Sequence, residues 1–120
     1  MDEKRRLICA SRDLEERGKG VRFEIAAEHS AFAVRYRGRV YAYLNRCAHI
    51  SVELDWAAGE FFDFTGSHLI CATHGALYAP DSGKCLGGPC HGGGLTRLEV
   101  EEIDGNLYLI YGPENGNQSE

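Results

Sequence analysis

The sequence predicts an all-β fold of stacked antiparallel sheets, a sandwich or small barrel. Three observations point there. Short runs alternate apolar and polar residues, as in "VRFEIAA" (21–27), where Val21, Phe23 and Ile25 interleave with Arg22 and Glu24; this period of two marks a half-buried strand. Glycine is frequent, at 15 residues against 3 prolines, and many glycines fall between such runs, where turns belong. Only 11–17 and 53–60 have the character of short helical turns.

The elements follow in order. "RLICAS" (6–11) reads as a strand, and "DLEERGKG" (13–20) as a polar loop before the strand at 21–27. "FAVRYRG" (32–38) and "RVYAYLN" (39–45) form a hairpin turning near Arg37-Gly38. "SHLICA" (67–72) and "GALYA" (75–79) are short apolar runs either side of His74, and "PDSGKC" (80–85) is a turn. "LTRLEVEEIDGNLYLIY" (95–111) is the clearest hairpin, since Asp104-Gly105 separates two alternating runs. The tail 113–120 carries nothing to bury, leaving 1–112 as one domain.

Composition bounds the function. Hydrophobic residues at 43% and charged residues at 26% suit a water-soluble globule. A net charge of -5 argues against phosphate-backbone binding. No apolar run approaches the roughly 18 residues of a membrane span, and the start has no apolar stretch long enough for a signal peptide. The expected location is therefore the cytoplasm, where the five cysteines serve as ligands or thiols rather than a disulfide framework.

Two Cys/His pairs carry the chemistry. "NRCAHIS" places Cys47 two residues before His49, and "LICATHGALY" places Cys71 three before His74. The 21 residues between His49 and Cys71 let the chain leave one loop and return beside the other. Two thiolates and two imidazoles complete either a tetrahedral zinc site or a [2Fe–2S] cluster with one iron on cysteines and the other on histidines. Zinc fingers of this composition group cysteines first and histidines second. Here each loop offers one of each, an order that favours the two-iron centre; zinc and a chance pairing stay open on the residues alone.

The pattern C-x-H … C-x2-H, with Gly75 after His74, "GGP" at 87–89 and the closing hairpin, resembles the Rieske family over most of the chain. The resemblance implies stacked antiparallel sheets with a small cluster-binding subdomain, its loops around 45–54 and 69–79. It implies Cys47 and Cys71 on a buried inner iron, and His49 and His74 on an outer iron near the surface. Respiratory and photosynthetic members join the two loops by an extra disulfide; the matching positions here are Val52 and Thr73, which points to the soluble ferredoxin type. High-potential members carry a serine and a tyrosine that bond the cluster, and the matching residues are Ala76 and Tyr78. With one hydroxyl of the two, the expected potential lies in the lower half of a range of roughly -150 to +300 mV.

The implied function is one-electron transfer between a separate reductase and an oxygenase or similar enzyme, with no catalysis of its own and no nucleic-acid or membrane partner. The alternatives are a small Rieske subunit of a reductase such as the nitrite reductase type, or a zinc-stabilised β interaction module. Other residues are expected to do less. Trp56, Phe61, Phe62 and Phe64 read as a patch over the cluster loops, or else as a docking surface. Cys85 and Cys90, with His91 beside them, read as structural or free thiols, Cys9 as core, and His29 and His68 as surface or capping residues. Glu15, Glu16, Glu99, Glu101 and Glu102 read as solvated faces.

Overall fold

The computed structural model describes residues 4–26, 29–46, 53–55, 59–73, 75–90 and 93–111. It is all-β, with one short 3-10 turn at Ser11–Asp13. The strands are β1 (Lys4–Ala10), β2 (Val21–Ala26), β3 (His29–Tyr36), β4 (Arg39–Leu44), β5 (Leu69–Ile70), β6 (Leu77–Tyr78), β7 (Cys85–Gly87), β8 (Arg97–Leu98), β9 (Val100–Ile103) and β10 (Asn106–Tyr111). They form three antiparallel sheets, ordered β1-β10-β9, β2-β3-β4-β8 and β5-β6-β7. The sequence expectation of stacked antiparallel sheets holds. No helix among the described residues is long and apolar enough to cross a membrane.

The alternation of β3 explains the stacking. Ala31, Phe32, Ala33 and Val34 are all fully buried, so both faces of this strand are covered. Successive side chains point to opposite faces. Ala31 and Ala33, with Ala42 of β4, line one face and pack with Leu107 and Leu109 of β10. Phe32 and Val34, with Tyr43, line the other and pack with Leu54, Phe61, Leu69, Cys71 and Tyr78. Alanines let the β1-β10-β9 sheet approach closely, while the large residues opposite reach across to the small sheet. The four-stranded sheet is thus the middle layer, and the apolar side chains of 61–78 hold the Cys71 region against it.

Both hairpins turn where the sequence places them. Arg37 and Gly38 have φ of 54° and 80°, and Asp104 and Gly105 have φ of 50° and 81°. Two successive left-handed residues match the twist of the flanking strands, and Gly or Asp tolerates that conformation best. At Arg37 the turn takes a side chain glycine would spare, and Glu16 helps hold it by accepting hydrogen bonds from the Arg37 and Gly38 amides. Arg35 locks the outer layer to the middle one. Its guanidinium pairs with Glu102 of β9 at 2.6 Å and donates to the carbonyls of Leu14 and Ser11. Glu16 and Glu102 are therefore structural acceptors rather than merely solvated charges.

The aromatic segment divides. Phe61 is fully buried and stacks on Phe32 with ring centroids 4.0 Å apart. Phe62 packs on Tyr36 at 6.3 Å, and Phe64 is fully exposed. Trp56 lies outside the described residues. The helical turn expected over 53–60 does not form in its described part, whereas 11–17 does contain one at Ser11–Asp13.

Two outcomes follow. Phe61→Ala should cost about 3–5 kcal/mol in urea unfolding, while Phe64→Ala should stay within about 0.5 kcal/mol. The hydrogen bond from Arg35 holds the Glu102 carboxyl below its ordinary range. A depressed carboxylate contributes stability above its unfolded pKa and loses it as pH falls through the folded value. Acid unfolding curves of Glu102→Gln should therefore show a smaller loss of stability between neutral pH and pH ~3 than the parent.

Candidate metal centre

Cys71 follows β5 directly. Its chain direction is reversed by two backbone bonds, from Cys71 N–H to Ala76 C=O at 2.9 Å and from Gly75 N–H to Cys71 C=O at 2.7 Å. Gly75 closes this loop with φ of 76°, a conformation that glycine takes without penalty. The Cys71 side chain is fully buried, sharing an apolar cluster with Leu54, Leu69, Ala76, Tyr78 and Cys90. Cys47, His49 and His74, expected beside it, lie outside the described residues.

The stalks of the first loop are described on both sides. Asn45 follows β4, and Leu54 lies where the described chain resumes, with Asn45 accepting a hydrogen bond from Leu54 N–H at 2.8 Å. Leu54 C=O in turn accepts from Ala72 N–H at 2.9 Å. The two loops are thereby laced together next to Cys71. Sequence reasoning missed Asn45 and Asp55, which are buried here; an asparagine two residues before Cys47 was the available signal.

A third segment packs on this end. β7 and the turn after it bring Gly88 so near the second loop that a Cβ there would lie 3.0 Å from Ala76 Cα. Cys85 and Cys90 are joined by a disulfide, with Cα atoms 5.7 Å apart. The two cysteines are therefore structural, and the expectation that the cysteines form no disulfide is corrected at this pair. The turn at Gly88, φ 83°, folds the chain back within five residues. Bonds from Cys85 N–H to Gly93 C=O and Gly93 N–H to Cys90 C=O then hold both cysteines on one small loop. Local geometry, rather than cell compartment, brings these sulfurs together. His91 lies outside the described residues.

The supporting residues are dry and fixed. Ala76 and Tyr78 are both fully buried. Tyr43 donates its hydroxyl to Pro80 C=O at 2.8 Å, and burial pushes its pKa well up, so it stays a donor. A Cβ on Gly83 would lie 2.8 Å from the Tyr43 ring, which keeps the turn after β6 tight against the middle sheet. His68 lies on the same hairpin, and its Nδ1 sits 3.0 Å from Asp63 Oδ2, a turn-closing role consistent with the capping expectation. Cys9 is half-buried at the edge of the other core, and burial raises its thiol pKa, with Asp13 adding to the effect.

A buried thiol in an apolar cluster, at the base of a glycine-closed loop tied to a second loop, has the donor chemistry and dryness that an iron–sulfur centre needs. The profile of the Rieske [2Fe-2S] domain matches residues 4–103. The chain belongs to this family, whose cofactor is a Rieske-type [2Fe–2S] cluster.

Solved structures share the fold. A chain of the complex of reduced oxygenase and oxidized ferredoxin in carbazole 1,9a-dioxygenase superimposes with a TM-score of 0.73 at 24% identity, over 88% of this chain and 91% of that one. The ferredoxin of carbazole 1,9a-dioxygenase from Nocardioides aromaticivorans gives 0.70 at 21% identity, over 91% and 98%. The terminal oxygenase from the same organism gives 0.74 at 20% identity, over 92% of this chain but 30% of that one. No functionally curated protein matches the sequence.

The disulfide gives a direct test. Cys85 and Cys90 should resist alkylation in unfolded, unreduced protein and react after reduction. By loop-closure entropy, a ring this small contributes about 2 kcal/mol, so Cys85→Ser should lower unfolding stability by about that amount. Full alkylation without reductant would show the bridge absent.

Proposed function

We propose that the chain is a one-electron carrier of the Rieske ferredoxin type, with Cys47, His49, Cys71 and His74 as its cluster ligands. The observation that carries this reading is Cys71, a fully buried cysteine inside an apolar cluster at the base of the loop that leads to His74. When bound, the cluster supplies reversible transfer of a single electron.

The chain's own residues supply the setting. Burial of Cys71 among Leu54, Ala76 and Tyr78 keeps water from the sulfur side. The middle sheet gives the loops a rigid base, which limits the rearrangement an electron transfer has to drive. The partners in this reading are a separate reductase as donor and an oxygenase or similar enzyme as acceptor. The ferredoxin–oxygenase complex named among the structural relatives supports that pairing.

Electron paramagnetic resonance of the reduced protein tests the reading. The expected spectrum is rhombic, with an average g below that of an all-cysteine cluster. Cys71→Ser should lose iron and visible absorbance together, because ligand binding contributes folding energy to this end of the molecule. Full iron and sulfide with an all-cysteine spectrum would overturn the ligand set. Purification in a tight complex with a catalytic subunit that never dissociates would overturn the mobile carrier.

A further inference from the structure

Asn45 and Asp55 are the two buried polar side chains among the described residues, at 5% and 6% exposure. They bracket the loop that contains Cys47 and His49. Asn45 Nδ2 donates to Asp55 Oδ1 at 2.9 Å, and Asn45 Oδ1 accepts from Leu54 N–H at 2.8 Å. Asp55 Oδ2 accepts from Gly59 N–H at 2.9 Å and faces Arg22 at 3.7 Å. Arg22 also grips Glu53 at 2.7 Å, and Ser30 donates to the same carboxylate at 2.6 Å. From Leu54 the chain of bonds continues through its carbonyl to the amide of Ala72, next to Cys71.

We propose that Asn45 and Asp55 are positioning residues that set the separation of the two ligand loops, and so the geometry of the cluster. This rests on the reading that those loops hold it. The chemistry of the pair is directional. Leu54 N–H can only donate and the Asp55 carboxylate can only accept, so a single side chain between them must present an acceptor to one and a donor to the other. Asparagine does this; aspartate at 45 would set two carboxylates face to face, and alanine would leave a buried amide and a buried carboxylate oxygen without partners. The bonds run from the stalk of the first loop into the turn of the second, so slack at Asn45 reaches the Cys71 side through one residue, Leu54.

The same logic provides a rescue. In the exchanged pair Asn45→Asp with Asp55→Asn, the carboxylate at 45 accepts from Leu54 N–H and from the new amide at 55. That amide's oxygen accepts from Gly59 N–H. All three bonds among these four residues are kept, and only the one between positions 45 and 55 has its donor and acceptor reversed.

The test compares the holoprotein with Asn45→Ala, Asp55→Asn and the exchanged pair. The readouts are the rate of cluster bleaching, the width and anisotropy of the resonance spectrum, and hydrogen exchange at Leu54 and Ala72. Single variants should bleach about 10- to 100-fold faster, as outer residues of metal sites do when altered, with broadened spectra and faster exchange. The exchanged pair should return to within a few-fold of the parent. Single variants indistinguishable from the parent overturn the proposal. So does an exchanged pair as impaired as Asp55→Asn, whether through release of the cluster or failure to fold. The parent's own spectrum tests the functional reading, and the comparison among variants tests the positioning role, so the two fail separately.

Discussion

The constraint on which the molecule depends is that β3 is buried on both faces. One strand supplies alanine to one layer and Phe32 and Val34 to the other, and neither layer can be removed without exposing it. The outer sheet closes the alanine face through Leu107 and Leu109. The small sheet closes the aromatic face through Phe61 and Tyr78. The Cys71 region is therefore not an appendage on a finished domain. It is one of the two lids of the core, and the same apolar contacts that fold the chain also fix where the sulfur sits.

Polar and apolar contributions are divided between the two ends. Away from Cys71, charged residues tie layers together at the surface, as Arg35 does with Glu102. Near Cys71, a buried carboxylate and amide are spent on loop placement, each with its partners in reach. A buried carboxylate is costly unless it is hydrogen-bonded and paired. Asp55 meets that condition through Asn45, Gly59 and Arg22, which is what lets a carboxylate sit inside this end of the molecule.

How much of this the sequence reveals depends on the range of the interactions. The two hairpins are readable because Arg37-Gly38 and Asp104-Gly105 impose their turns locally. The Cys/His spacing is readable because ligand chemistry restricts it. The sheet order is not, since β5, β6 and β8 are two residues long and owe their existence to pairing with distant partners. β7 is hidden for the same reason, since the sequence shows only a turn over 80–85 that reaches its first residue. Asn45 and Asp55 look like ordinary loop residues, and only tertiary structure shows that their side chains turn inward. Glu16 and Glu102 look like solvent-facing charge because the hairpin amides and the guanidinium they bind lie 21 or more residues away. The bridge between Cys85 and Cys90 was set aside on an argument about compartment, yet five residues and one left-handed glycine suffice to bring the sulfurs together.

That bridge sets an order of events for the maturing chain. Cys90 lies in the same apolar cluster as Cys71, so the correct and the wrong sulfur partners are neighbours in the finished fold. Under the proposed ligand set, two oxidation states are required within twenty residues: a disulfide at 85–90 and a thiolate at 71. An oxidant acting before the small sheet has formed meets three thiols in this stretch, and only the short separation of Cys85 from Cys90 favours that pair. Once β6 and β7 are paired, the short loop makes Cys85 the nearer partner of Cys90. Folding thus guides the redox chemistry, and, under the proposed ligand set, a chain oxidised at Cys71 too early has lost that sulfur as a ligand for iron.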